Sequence, residues 1–296
     1  MTNFRGAMLM VLAMGLFAIE DGFIKGLTDT IPVGQIIAIT CLGGLIYFAI
    51  VFRIQGISLW HPEYLDRKVI LRTLCDVGGS LCFVTSLSLI PLTTASAVIQ
   101  ATPLVVALGA ALFLGQSIGW RRWIAIIVGF IGVMIIIRPG MEGFEPSTLF
   151  AVAGMLGLAV RDLFTRALNV SLTGSQLSIH SFTALIIASS AMMWIKGESV
   201  VMPDARESVL LLGCIIVGVM AYLALVAATR GGNAGIISSF RYSRMIFALI
   251  IGFVAFREVP DAPTIVGATI VIASGLFTLL RESRMHRASH STTAKV

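Results

Sequence analysis

Four acids, Glu20, Asp21, Asp76 and Asp162, and four arginines, Arg72, Arg161, Arg241 and Arg244, lie inside long apolar runs of this 296-residue sequence. A charge near the centre of a bilayer costs roughly 2.5–3.5 kcal/mol on insertion scales, so it is either paired or functional. Four acids against four bases favours pairing. The residue types also allow chemistry. A carboxyl group removed from water can take up and release a proton, and Glu20 is the first candidate for that role, ahead of Asp76. Arg241 and Arg244, three residues apart, project from one side of a helix. A planar guanidinium grips a carboxylate or phosphate with two hydrogen bonds. Tyr242 adds a ring and a hydroxyl. The competing reading is that both arginines pair with Glu20, Asp76 or Asp162 and hold helices together.

Spacing suggests further contacts. Lys25 follows Asp21 by four residues, and Arg166 follows Asp162 by four, which places each base on the helix face of its acid. Each set is either a local pair at a helix end, its base snorkelling to the interface, or a gate closing one mouth of a pathway. Arg72 precedes Asp76 by the same interval. Glu20 and Arg161 each stand about 100° round the helix from the neighbouring Asp, so adjacent charges are not expected to share a contact. Gln100, Thr102 and Pro103 lie at the depth of Arg241, in another apolar run. Pro103 has no N–H, so a carbonyl one turn earlier is expected to be free for substrate or water. His180 is either an interhelical hydrogen-bonding residue or a ligand. Gln35 and Gln176 are candidate interface anchors.

The elements that must position these residues follow from composition. The chain is 57% hydrophobic and 12% charged, with mean hydropathy +0.96, which excludes an ordinary soluble domain. Apolar stretches of helical length recur throughout, as in an all-α integral membrane protein. Ten spans are expected, near 6–26, 33–52, 69–89, 92–114, 120–137, 147–167, 174–195, 208–228, 234–256 and 263–280. The break at Ile90-Pro91 is the tightest. An even number puts both termini on one side. That side receives twelve Lys and Arg against five on the other, which makes it the cytoplasm of a multi-pass cell (inner) membrane protein. Topology therefore accounts for the net charge of +6 without a nucleic-acid partner. The basic end, 282–296, reads as a disordered cytoplasmic tail. Cys41, Cys75, Cys82 and Cys214 all fall in apolar runs, and no metal, cofactor or ATP-binding motif occurs. An intramembrane enzyme would need facing catalytic groups. Asp21 and Asp162 are expected at opposite depths, so the chain reads as non-enzymatic.

The sequence also resembles itself. Shifted by 141 residues, VLAMGLFAIEDGFIKGL (11–27) falls on VAGMLGLAVRDLFTRAL (152–168), and Asp21 meets Asp162, Lys25 meets Arg166 and Gln35 meets Gln176. Five spans per copy is odd, so the second copy (139–281) would cross the membrane inverted relative to the first (1–138).

The stretches PLTTASAVIQATPLVVALGAALFLGQSIGWRRWIAIIVGFIGVMII (91–136) and NAGIISSFRYSRMIFALIIGFVAFREVPDAPTIVGATIVIASGL (233–276) resemble the EamA-type ten-helix members of the drug/metabolite transporter superfamily. Gln116 stands where the first copy usually has Glu, while Glu258 keeps the acid; Tyr242 lies near the counterpart of Pro103. The resemblance implies a secondary transporter working by alternating access. It would move an amino acid or vitamin-like metabolite in or out without ATP, with proton coupling, as a monomer or homodimer in the lipid bilayer. RDLFTR (161–166) is similar to riboflavin-uptake members. On this reading Arg241, Tyr242, Arg244, Gln100, Thr102 and His180 contact substrate, and Glu20, Asp21, Asp76, Arg161 and Asp162 gate or couple.

Overall fold

The computed structural model describes residues 3–115, 119–141, 143–229 and 234–293. Gln116 and Arg230 lie outside them. Apolar sequence in lipid must satisfy its backbone internally, and the described chain does so with helices. These are α1 (Asn3–Leu27), α2 (Val33–Gln55), α3 (Arg67–Leu89), α4 (Leu92–Ile99), α5 (Thr102–Phe113), α6 (Trp120–Ile137), α7 (Thr148–Ala167), α8 (Gly174–Lys196), α9 (Ala205–Thr229), α10 (Ala234–Ser239), α11 (Ser243–Phe256) and α12 (Ala262–Thr293). Ten stretches are long and apolar enough to cross a membrane. α4 with α5 makes the fourth, and α10 with α11 contributes the ninth.

The ends carry their own chemistry. Asp66 accepts from the Lys68 amide to start α3 (2.8 Å), and Thr173 with Gln176 forms a reciprocal capping box on α8. Gly56 and Gly197 close α2 and α8 in the left-handed conformation. Asp261 starts α12 and pairs with Arg138 at the end of α6. Burial pushes the Asp261 carboxyl up, but hydrogen bonds from Arg138 and Thr264 outweigh it and hold the group below its usual range. The expected break at Ile90-Pro91 is present. α12 runs on to Thr293, into the stretch that composition reads as a disordered tail; nothing after Gly275 in that helix is Gly or Pro. Trp60, Trp120, Trp123 and Trp194 are exposed, as an aromatic belt requires.

Two of the ten spans are broken. Between α4 and α5 the helix is interrupted at Gln100-Ala101, and between α10 and α11 a 3-10 turn occupies Phe240–Tyr242. Small residues let α4 sit at the centre, where Leu92, Ala95, Ser96, Ala97 and Val98 are fully buried. The most extensive helix contacts join α1 with α9, α3 with α7, α6 with α12 and α2 with α8. At the α3–α7 crossing Gly79 faces Gly157, and a Cβ added to Gly157 would lie 2.6 Å from the Gly79 Cα. Only glycine lets the two backbones approach this closely. Gly157→Leu should therefore force the helices apart, at a cost of about 1–3 kcal/mol. A melting temperature in detergent equal to that of the parent protein would contradict this packing.

Candidate functional site

The α3–α7 crossing brings four charges into one chain. Arg72 Nη1 lies 3.2 Å from Asp76 Oδ2. Arg161 Nη1 donates to Asp76 Oδ1 at 3.0 Å, and its Nη2 donates to Asp162 Oδ1 at 2.8 Å. Arg72 also donates to Thr165, to the Leu177 carbonyl and to the Ser181 hydroxyl, which ties α3 to α7 and α8. Base and acid alternate and cancel. The Arg72–Asp76 pairing is the one expected from spacing. The others correct the sequence reading. Asp162 pairs with Arg161, while Arg166 is exposed. Adjacent charges do share a contact here, because the long Arg161 side chain folds back far enough for its Nε to reach Asp162 at 3.0 Å.

Asp21 likewise ignores Lys25. It is 4% exposed and accepts from Arg244 Nε at 3.1 Å and Nη2 at 2.5 Å. The Arg244 guanidinium lies 5.6 Å from the centre of the Phe17 ring and 5.7 Å from that of Phe83. Arg244 is thus a helix-pairing arginine. Lys25 instead donates to the carbonyls of Leu87 (3.1 Å) and Ile90 (2.8 Å) and lies 3.7 Å from Glu258. Glu258 accepts from the amides of Leu92 (2.8 Å) and Thr93 (3.1 Å). The end of α3 exposes carbonyls that want a cation, and the start of α4 exposes amides that want an anion. One Lys–Glu pair meets both needs. Sequence reasoning left Glu258 off the site; the signal was the acid it keeps at the α11–α12 turn.

The broken spans meet at their breaks. Gln100 Nε2 donates to the Tyr242 carbonyl at 3.1 Å and to the Arg241 carbonyl at 3.5 Å. These are backbone acceptors that the 3-10 turn leaves for a side chain. The carbonyl freed by Pro103 is that of Ile99, and the Thr102 hydroxyl takes it at 2.5 Å. Neither Gln100 nor Thr102 therefore keeps its donor for a ligand. The Tyr242 ring packs on Gly275 of α12, and its buried hydroxyl makes no hydrogen bond among the described residues. His180 bonds Thr73 at 2.8 Å and stacks on Tyr64. It braces α3 against α8 and lies outside the cavity lining. Gln35 bonds Val201 through both amide atoms, as an anchor should.

A cavity of about 590 Å³ lies among these elements. Glu20, Asp76, Arg161, Asp162, Arg241 and Arg244 line it, with Gln100, Thr102 and Tyr242; Asp21 does not. Phe48, Phe182 and Tyr222, a trio the sequence reading missed, form one apolar wall, with Phe48 5.3 Å from the Tyr222 ring and 6.1 Å from that of Phe182. The lining reaches Thr165 and Gly174, at the end of α7 and the start of α8. It stops short of Lys25 and Glu258. Among the described residues no group of acids, His and Cys could hold a metal.

Ten apolar spans and an internal cavity lined by charged side chains define a multi-pass membrane protein. The sequence pattern of the EamA-like transporter family matches residues 4–138 and again 146–280. The chain belongs to that family, within the drug/metabolite transporter superfamily. It is 27% identical over 223 residues to the S-adenosylmethionine uptake transporter of Rickettsia conorii, 75% of each chain. It is 26% identical over 277 residues to the pseudopaline exporter of Pseudomonas aeruginosa, 91% of this chain and 94% of that one. Identity to the riboflavin transporter of Rhizobium johnstonii is 25% over 287 residues, 95% and 93% of the two chains. A solved crystal structure shares the fold at 18% identity with a TM-score of 0.65, covering 93% of this chain and 96% of that one.

The Asp21–Arg244 pair is the clearest single test of the site. Asp21→Asn leaves a buried guanidinium without its counter-charge and should cost about 3–5 kcal/mol. Asp21→Asn combined with Arg244→Gln should restore much of that loss. Additive losses in a double-mutant cycle of melting temperatures would show that the two groups do not interact.

Proposed function

We propose that this protein is a secondary transporter that carries a small metabolite across the cell (inner) membrane by alternating access, without ATP hydrolysis. The observation that carries the reading is the charged cavity, whose lining extends to Thr165 and Gly174 at one end of the bundle and stops short of the Lys25–Glu258 contact. That end of the cavity lies on the side where α1 begins. By the charge bias of the loops that side is the cytoplasm, and the conformation is open inward.

Two inverted five-span repeats provide the moving parts. Several features support them. The family pattern matches twice. Advancing by five spans turns the α1–α9 contact into the α7–α3 contact, and maps α2–α8 and α6–α12 onto themselves. The breaks at Gln100 and Arg241 stand 141 residues apart. Rocking of one repeat against the other would open the sealed end and close the mouth.

An amino acid or vitamin-like metabolite suits the cavity volume, and the relatives' S-adenosylmethionine, pseudopaline and riboflavin are all of that scale. Riboflavin is the second reading. It rests on relatives alone, since Arg161 and Asp162 of RDLFTR are committed to Asp76 and to each other. Purified protein in proteoliposomes should exchange internal for external solute of one class among amino acids, nucleosides, flavins and polyamines. Exchange of none would argue against transport. Glu258→Gln should loosen the sealed end, so that Ser88→Cys reacts several-fold faster with an impermeant maleimide added on that side. An unchanged rate would remove the pair as a closing contact.

A further inference from the structure

Charge accounting in the cavity leaves a remainder. Arg72, Asp76, Arg161 and Asp162 form one alternating chain, and Arg244 is joined to Asp21. Two charged groups of the lining are left, Glu20 and Arg241. Among the described residues neither side chain makes a hydrogen bond or ion pair. An unpaired ionisable group held out of bulk water is expensive to charge, and here there is one acid and one base.

Both are held in place. The Glu20 carboxylate lies against Gly218 of α9, where an added Cβ would come 2.5 Å from Oε1. Glycine at that position makes the seat. Arg241 stands in the 3-10 turn whose carbonyls Gln100 ties down. Arg72, Arg161 and Arg244 each have an acidic partner, which leaves Arg241 as the arginine of the lining with none among the described residues. Its planar fork suits a carboxylate. Glu20 suits an ammonium or other onium group. The apolar wall of Phe48, Phe182 and Tyr222 lies in the same cavity.

We propose that Glu20 and Arg241 form a two-point clamp that selects substrates bearing both a cation and a carboxylate, joined to an apolar or planar body. The proposal rests on the transporter reading of this cavity. A neutral flavin would offer neither group a counter-charge, so the clamp separates substrate classes that the relatives' names leave side by side.

The test uses full-length protein and defined probes: S-adenosylmethionine, aromatic amino acids, their decarboxylated amines, and riboflavin. Affinity comes from thermal shift and transport from counterflow in proteoliposomes. At least one probe with both charges should bind, and its decarboxylated partner should bind about tenfold or more weakly, as loss of a charge-assisted hydrogen bond implies. Arg241→Gln should abolish that preference for the carboxylate. Glu20→Gln should weaken both members of the pair. Without ligand neither variant should lower the melting temperature, because neither breaks an ion pair, which separates this result from a folding defect. Preference for riboflavin, or binding of no probe, overturns the clamp. So does a Glu20→Gln protein that keeps its affinity and loses only its response to a pH gradient, since that is a proton carrier's behaviour. Selective binding without counterflow would instead sink the transport reading and leave the clamp standing.

Discussion

A charged side chain surrounded by hydrocarbon must find its counter-charge within the protein, and this requirement sets how the helices of this chain meet. Asp76 on the third span meets Arg161 on the sixth, Asp21 on the first meets Arg244 on the ninth, and Lys25 on the first meets Glu258 after the ninth. Each of these pairs joins the first half of the chain to the second. Taking both partners out of water costs about as much as their attraction returns, so such pairs add little net stability. They do penalise every arrangement in which a partner is missing. Glycine makes the meeting possible at the α3–α7 crossing, where Gly79 and Gly157 let Asp76 and Arg161 come within a hydrogen bond.

The same requirement applies to the backbone. Interrupting a helix inside a membrane strands N–H and C=O groups, and these are tolerated only where protein or a cavity satisfies them. Both interruptions here border the cavity, and both are covered by side chains from nearby. Thr102 takes the Ile99 carbonyl, and Gln100 takes the carbonyls of Tyr242 and Arg241. The start of α4 is met in the same way by Glu258 from the far end of the sequence. A broken helix held by a few side chains can bend at a defined point, while its flanking segments stay rigid.

Hydropathy made the spans legible, including the tight break at Pro91, because a bilayer leaves little choice of element. Pro103 also marked the carbonyl that would be freed. The second break was invisible: FRYSR contains neither Gly nor Pro, and only its packing against Gln100 explains the turn. Ion-pair partners were the least legible feature. The four-residue spacing correctly joined Arg72 to Asp76. It misassigned Asp21 and Asp162, since Lys25 lies beside the unsatisfied carbonyls at the end of α3, and Arg161 is long and flexible enough to reach its own neighbour. A local rule fails wherever a distant group presents the stronger electrostatic demand.

The 141-residue shift gives the remaining argument. It pairs Glu20 with Arg161 and Gln100 with Arg241. In each pair one member holds the structure, Arg161 through Asp76 and Asp162, Gln100 through the carbonyls of the broken span. The other member lines the cavity with no side-chain partner among the described residues. Arg161 spends three of its five N–H donors on those two acids, so its charge is compensated within the protein. The division also runs in opposite senses, leaving an acid from the first span and a base from the ninth. The two members left without a partner among the described residues are thus of opposite type, and both stand where the 141-residue shift sets unlike residues against each other.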